Sequence, residues 1–213
     1  CLVGSEMCIR DRHNLDKLKL AKAINFDLAS DKFVRESIFV HGSVDEVVEA
    51  IFQKFPQVMK KKIHEGLFEG SGDAKQVPLT NLHTLFTNLG TITFGLVTND
   101  SETNAIKHLE QHNLTQYFDM IIGYDSGYGS KPEPGQLEAF LRKTNLLSQE
   151  VLMIGDSTYD LVAANKISMP CLGVLSGTAN KKDLSAHTPF VIDSIDELEA
   201  VSYTHLTLPT KSG

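Results

Sequence analysis

The sequence has no tryptophan, only three cysteines, no Lys/Arg-rich block and no long apolar run. Two of the cysteines, Cys1 and Cys8, lie in a terminal stretch read below as foreign. Cys171 is then the only genuine one, which excludes an internal disulfide or a cysteine metal site. No uninterrupted apolar segment approaches the ~20 residues of a membrane span. Residues 1–12 lack the apolar centre of a signal peptide, so a cytoplasmic location is the default expectation. With a formal charge of −7 and no clustered positive charge, neither nucleic acid nor an anionic membrane is an expected partner. A small anionic substrate would need locally placed cations. What is present, 41% hydrophobic and 22% charged residues over 213 positions, fits a globular chain with one sizeable domain and a small accessory one.

The two ends share an inverted repeat. Met7 to Asp11 (MCIRD) can be encoded by ATG TGT ATA AGA GAC, whose reverse complement encodes VSYTH, the residues Val201 to His205. This resembles translated transposase library adapters, as do the flanks LVGSE and LTLPT. Residues 1–12 and 201–213 are therefore set aside as adapter-derived tails. The reading frame is then expected to start inside a gene, with an N-terminal stretch missing.

From His13 to about Glu69 the pattern is helical. Val44, Val47, Val48, Ile51, Phe52 and Phe55 recur at helical spacing, behind a Ser43/Glu46 capping-box pattern. Further helices are expected over Leu15 to Ile24 and around Val58 to Leu67, and no strand. After the Gly70-Ser71-Gly72 turn, short apolar runs (Thr93–Val97, Met120–Ile122, Val151–Ile154, Cys171–Leu175, Phe190–Ile192) alternate with helical stretches at about 79–89, 101–113, 134–146, 158–168 and 195–200. Apolar strands without in–out alternation imply burial on both faces, and intervening helices imply parallel crossovers. The fold class is α/β, a doubly wound parallel sheet (13–72 a small helical domain, 73–200 the sheet domain). Ligands in such sheets bind beyond the carboxyl ends of the strands.

Three strand ends carry suitable chemistry. Thr98-Asn99-Asp100-Ser101 offers a hydroxyl and an amide before a helix N-terminus, a place for a phosphate oxygen; Asp100 and Ser101 read better as helix caps. Lys131-Pro132 follows the glycine-rich loop 123–130 and precedes a helix; its ammonium can offset phosphate charge. Gly155-Asp156-Ser157-Thr158-Tyr159-Asp160 places two carboxylates within one helical turn after a buried strand. Mg²⁺ favours one or two carboxylates with waters and a substrate phosphate, although either Asp alone also suits a helix cap.

In this order, Thr98, Lys131-Pro132 and GDSTYD resemble motifs two, three and four of the haloacid dehalogenase superfamily. LVTND, SKPEPG, GDSTYDLVAA and LGVLSGTA look closest to its phosphoglycolate-phosphatase-like branch. The resemblance implies a HAD-like Rossmannoid core over about 75–200, a helical cap inserted after the first strand, and a Mg²⁺-dependent phosphatase acting on a small phosphorylated metabolite. It implies that Thr98 and Asn99 contact the phosphate and Lys131 offsets charge on phosphate and nucleophile. Asp156 would ligate the metal with support from Asp160. The family's nucleophile is an Asp in a DxDGT-like pattern after the first strand, where it forms an aspartyl-phosphate; no such pattern precedes the helical segment. Asp193-Ser194-Ile195-Asp196 lies at the wrong end and reads as a strand-to-helix cap. The chain is accordingly expected to lack both catalytic aspartates and their central strand, to leave an opening in the sheet, and to be inactive. A phosphosugar mutase of the same branch, a dehalogenase and a phospho-acceptor receiver domain are the alternatives. In the last the acidic strands precede the Thr and Lys, unlike here.

Among other residues, His64, His83, His108, His112 and His187 read as exposed helix histidines. Cys171 reads as core packing. Tyr124 and Tyr128 either contact substrate or cover apolar surface.

Overall fold

The computed structural model describes residues 15–30, 32–34, 37–71, 81–90, 92–177 and 179–198. Both adapter-like tails lie outside them, as do residues 72–80; Gly70 and Ser71, expected in a turn at the boundary, are instead helical.

The first part is built from α1 (Lys17–Ala23), α2 (Ile38–His41), α3 (Val44–Lys54) and α4 (Lys60–Ser71). The helix over 44–54 forms as its periodicity predicts. The Ser43 hydroxyl accepts from Glu46 N–H while the Glu46 carboxylate accepts from Ser43 N–H, a complete capping box. Its stripe Val47, Val48 and Ile51 is buried together with Leu20, Ile24, Phe55, Ile63 and Leu67 in one cluster. Truncating a side chain as enclosed as Ile51, 1% exposed, costs about 2–5 kcal/mol.

The absence of strands expected here needs correction. β1 (Phe26–Asp27) and β2 (Lys32–Phe33) form an antiparallel pair. Asn25 enters it at φ 52°, and the Asp27 carboxylate accepts from Ala29 N–H and Ser30 Oγ–H to tighten the turn. Two-residue strands are too short to leave a period in the sequence.

The second part alternates as expected. It runs α5 (Leu82–Asn88), β3 (Gly95–Val97), α6 (Glu102–Gln111), β4 (Met120–Ile122), α7 (Gly135–Thr144), β5 (Met153–Gly155), α8 (Thr158–Lys166), β6 (Cys171–Val174), α9 (Lys181–Ser185) and β7 (Val191–Ile192). Of the helix expected over 195–200, Ile195–Glu197 forms a 3-10 turn and Leu198 is helical, while residues 199–200 lie outside the described residues. A second core gathers Leu137, Met153, Leu161, Ala164, Cys171 and Leu184. Cys171 packs there as a free, buried thiol, and Phe86 anchors α5 on Phe94, Tyr117 and Phe118 with ring centroids 5.0–5.4 Å apart.

The strands form two parallel sheets, in keeping with the opening expected in the sheet. β3 pairs with β4, and β5, β6 and β7 pair in that order. Among the described residues β3 and β5 therefore each have one unpaired edge. The β3 sequence is uniformly apolar, the pattern of a strand covered on both faces. Here Gly95 is exposed and Leu96 and Val97 are only half-buried.

Candidate active site

All three sequence motifs converge where β3, β4 and β5 end. Thr98 continues the β3–β4 ladder, its N–H donating to Ile122 O at 2.9 Å. Its carbonyl accepts from Gln136 Nε2 at 2.8 Å, and its Oγ1 accepts from Asp100 N–H at 3.0 Å. These bonds leave the hydroxyl proton unused. Ser101 caps α6 through Asn104 N–H, and Asp100 Oδ1 accepts from Ser101 N–H and Asn104 Nδ2. Both therefore serve the helix start, as read.

Asn99 and Lys131 are tied reciprocally. Asn99 Nδ2 donates to Lys131 O and Lys131 N–H donates to Asn99 Oδ1, both at 2.8 Å. This fixes the backbone of the lysine loop against the β3 end. The Lys131 ammonium then reaches Val97 O at 2.8 Å and Asp160 Oδ1 at 2.6 Å, with 10% and 7% of the two side chains exposed. A pair so removed from water holds only because each charge is matched and hydrogen-bonded.

Asp160 has its second oxygen committed as well. Oδ2 accepts from Ser157 N–H at 3.1 Å and Ser157 Oγ–H at 2.8 Å, closing a capping box at the start of α8. The preceding glycine explains why the carboxylate can lie there: a Cβ on Gly155 would sit 2.2 Å from Asp160 Cβ. Asp156, by contrast, is exposed. It lies over the loop after β6, where a Cβ on Gly177 would meet its Oδ2 at 1.9 Å. Among the described residues no group of three or more His, Cys, Asp or Glu is placed to hold a metal ion. A hard cation completed by water and substrate oxygens suits the exposed Asp156 carboxylate, while both Asp160 oxygens are occupied by protein donors.

Two groups near the site were not legible as functional. Gln136 is fully buried, and its Oε1 has no hydrogen-bond partner. His64 is not an exposed helix histidine: it is half-buried, and its Nε2 lies 3.0 Å from Tyr124 Oη. Burial, and then the charges of Asp45, Asp125 and Asp100, push the Tyr124 phenol up to about 12. His108, His112 and His187 are likewise half-buried, which leaves His83 as the exposed one. Tyr128 packs beside Ile122, Ala139 and Phe140 under Lys143, whose Nζ is 5.9 Å from the ring centroid. It covers apolar surface.

Residues 19–174 match the haloacid dehalogenase-like hydrolase family. A phosphoglycolate phosphatase of Vibrio parahaemolyticus is 36% identical over 107 residues, 50% of this chain and 47% of that protein. That of Vibrio cholerae is 27% identical over 191 residues, 84% of each chain. The matched stretch thus spans about half the length of several of these curated relatives. A crystal structure described as a predicted phosphoglycolate phosphatase from Haemophilus somnus superposes with a TM-score of 0.73 over 94% of this chain and 91% of that one, at 17% identity, a likeness of fold. With a family match running through the helical segment and on to the end of β6, the chain belongs to the haloacid dehalogenase-like hydrolases.

Proposed function

We propose that the chain carries the phosphate- and metal-binding part of a Mg²⁺-dependent phosphomonoester hydrolase for a small, phosphoglycolate-like metabolite. Residues 13–72 act as its helical cap and 73–200 as its α/β core. The observation that carries this reading is the convergence of Thr98, Lys131 and the Asp156/Asp160 pair at adjoining strand ends, with Lys131 desolvated and held by Asn99 and Asp160. The Thr98 hydroxyl donates to a phosphate oxygen, helped by Asn99, which fixes the loop. The Lys131 ammonium neutralises phosphate charge. Asp156 ligates Mg²⁺, with Asp160 supporting the site through Lys131; the bound cation would supply charge neutralisation of the phosphoryl oxygens. The nucleophile is an Asp on a strand that completes the sheet between β3 and β5, each of which has an unpaired edge among the described residues. That carboxylate attacks phosphorus, the ester oxygen leaves with a proton from a second Asp, and water cleaves the aspartyl-phosphate.

Turnover of p-nitrophenyl phosphate with Mg²⁺ tests this, on the present chain and on one with the upstream gene sequence restored. The present chain is expected to show no turnover above its Asp156→Ala variant. The restored protein is expected to turn over small phosphomonoesters and to lose this with Asp156→Ala. Robust activity of the present chain, abolished by Asp156→Ala, would overturn the missing nucleophile. A restored protein inert toward all small phosphomonoesters would overturn the hydrolase reading.

A further inference from the structure

The helical segment touches the α/β part beside the phosphate-binding loop. His64, on α4, bonds through Nε2 to the Tyr124 hydroxyl at 3.0 Å across 60 residues of sequence. Tyr124 follows β4, and its own N–H donates to Asp100 O at 3.0 Å. Asp100 N–H in turn donates to Thr98 Oγ1 at 3.0 Å. A continuous chain of hydrogen bonds thus runs from α4 through the Tyr124 side chain and backbone to the loop that carries Thr98. The loop after β4 is itself secured: Asp125 Oδ1 accepts from Glu102 N–H at 2.8 Å, and Ser126 Oγ accepts from Gly123 N–H at 2.9 Å.

The first turn of α3 approaches the same face. Asp45 acts on the Tyr124 phenol and Glu46 on the Tyr159 phenol, Tyr159 lying between Asp156 and Asp160; burial is the larger cause of each upward shift. Tyr124 therefore stays a neutral donor-acceptor among carboxylates, able to bond a histidine ring without a charge of its own.

We infer that His64 and Tyr124 are positioning residues that clamp the helical segment onto the Thr98–Ser101 loop, so that the seating of the helices and the order of the phosphate loop rise and fall together. That this loop holds phosphate rests on the function proposed above; the clamp itself does not. A hydrogen bond of this kind contributes about 1 kcal/mol, roughly fivefold in a local opening equilibrium.

Amide hydrogen exchange on the present chain, without ligand, tests the clamp in His64→Ala, Tyr124→Phe, the double variant and His64→Gln. Each of the first two is expected to speed exchange about fivefold both in α4 and at Asp100 and Ser101, while β5 and β6 stay unchanged. The double variant is expected to match the singles, and His64→Gln, which keeps a hydrogen-bonding side chain, to retain most of the protection. Faster exchange confined to the substituted residue's own element, no change in either region, or additive effects in the double variant would overturn it. Should Tyr124→Phe fail to fold, the two His64 variants still decide the matter, because His64 substitution must reach Asp100 and Ser101. An inert phosphate loop would sink the proposed function yet leave these exchange rates as expected.

Discussion

Replacing Asp160 by Asn keeps the side chain's shape and its bond to Ser157, but leaves the Lys131 ammonium facing an amide in a site where only 10% of the lysine side chain meets water. Removing one partner of such a pair typically costs ~3–5 kcal/mol, because the remaining charge stays buried. The retained cap places Asp160→Asn near the lower figure, about 3 kcal/mol. Lys131→Met removes the other charge and leaves Asp160 Oδ1 unmatched, with a similar expected cost. In the double variant neither charge is stranded, so its loss should fall short of the sum of the singles by ~2 kcal/mol or more. Urea unfolding followed by far-UV circular dichroism at neutral pH gives the three free energies. In a thermal scan, ~3 kcal/mol corresponds to roughly 6–12 °C for a chain of this size. An Asp160→Asn loss below about 0.5 kcal/mol, or additive single losses, would mean that the pair is solvated and the reasoning wrong.

Other perturbations test neighbouring features. Gly155→Ala drives a Cβ to 2.2 Å from Asp160 Cβ, so a loss of about 1–3 kcal/mol is expected by urea unfolding, and an unchanged midpoint would contradict the packing. Ser43→Ala deletes the N-cap of α3 and should cost ~1 kcal/mol in the same assay. The Tyr124 phenol, shifted from 10.0 to about 12, favours folding below pH 10 and loses that contribution as pH rises through about 12. Tyr124→Phe should therefore flatten the fall in stability across that window, and an unchanged alkaline slope would refute the shift. Burial pushes the Cys171 thiol up, so alkylation at pH 8 should be much slower in the folded chain than in urea; equal rates would contradict its enclosure.

The α3 helix, its capping box and the order of strands and helices after residue 81 were legible, because hydrophobic period and cap chemistry act over a few residues. The β1–β2 pair was not, since two residues carry no period. The three strand-end motifs were legible as a set, because parallel α/β connectivity brings strand ends together whatever the intervening sequence. What each side chain does there was not. Asp160 pairs with Lys131, and Asn99 uses both its amide atoms on the backbone of a residue 32 positions away. His64 looked like a surface histidine because its partner is 60 residues distant.

By itself the sequence determined the α/β alternation, the helical character of the first part and the residues that gather at the strand ends, all consequences of local pattern and chain connectivity. Only the tertiary structure decided that the opening expected in the sheet separates β3 from β5, that the Lys131 charge is buried and answered by Asp160, and that α4 reaches the Thr98–Ser101 loop through Tyr124. Those outcomes depend on which distant groups lose water together. Desolvation is a property of the packed chain, and no stretch of sequence carries it alone.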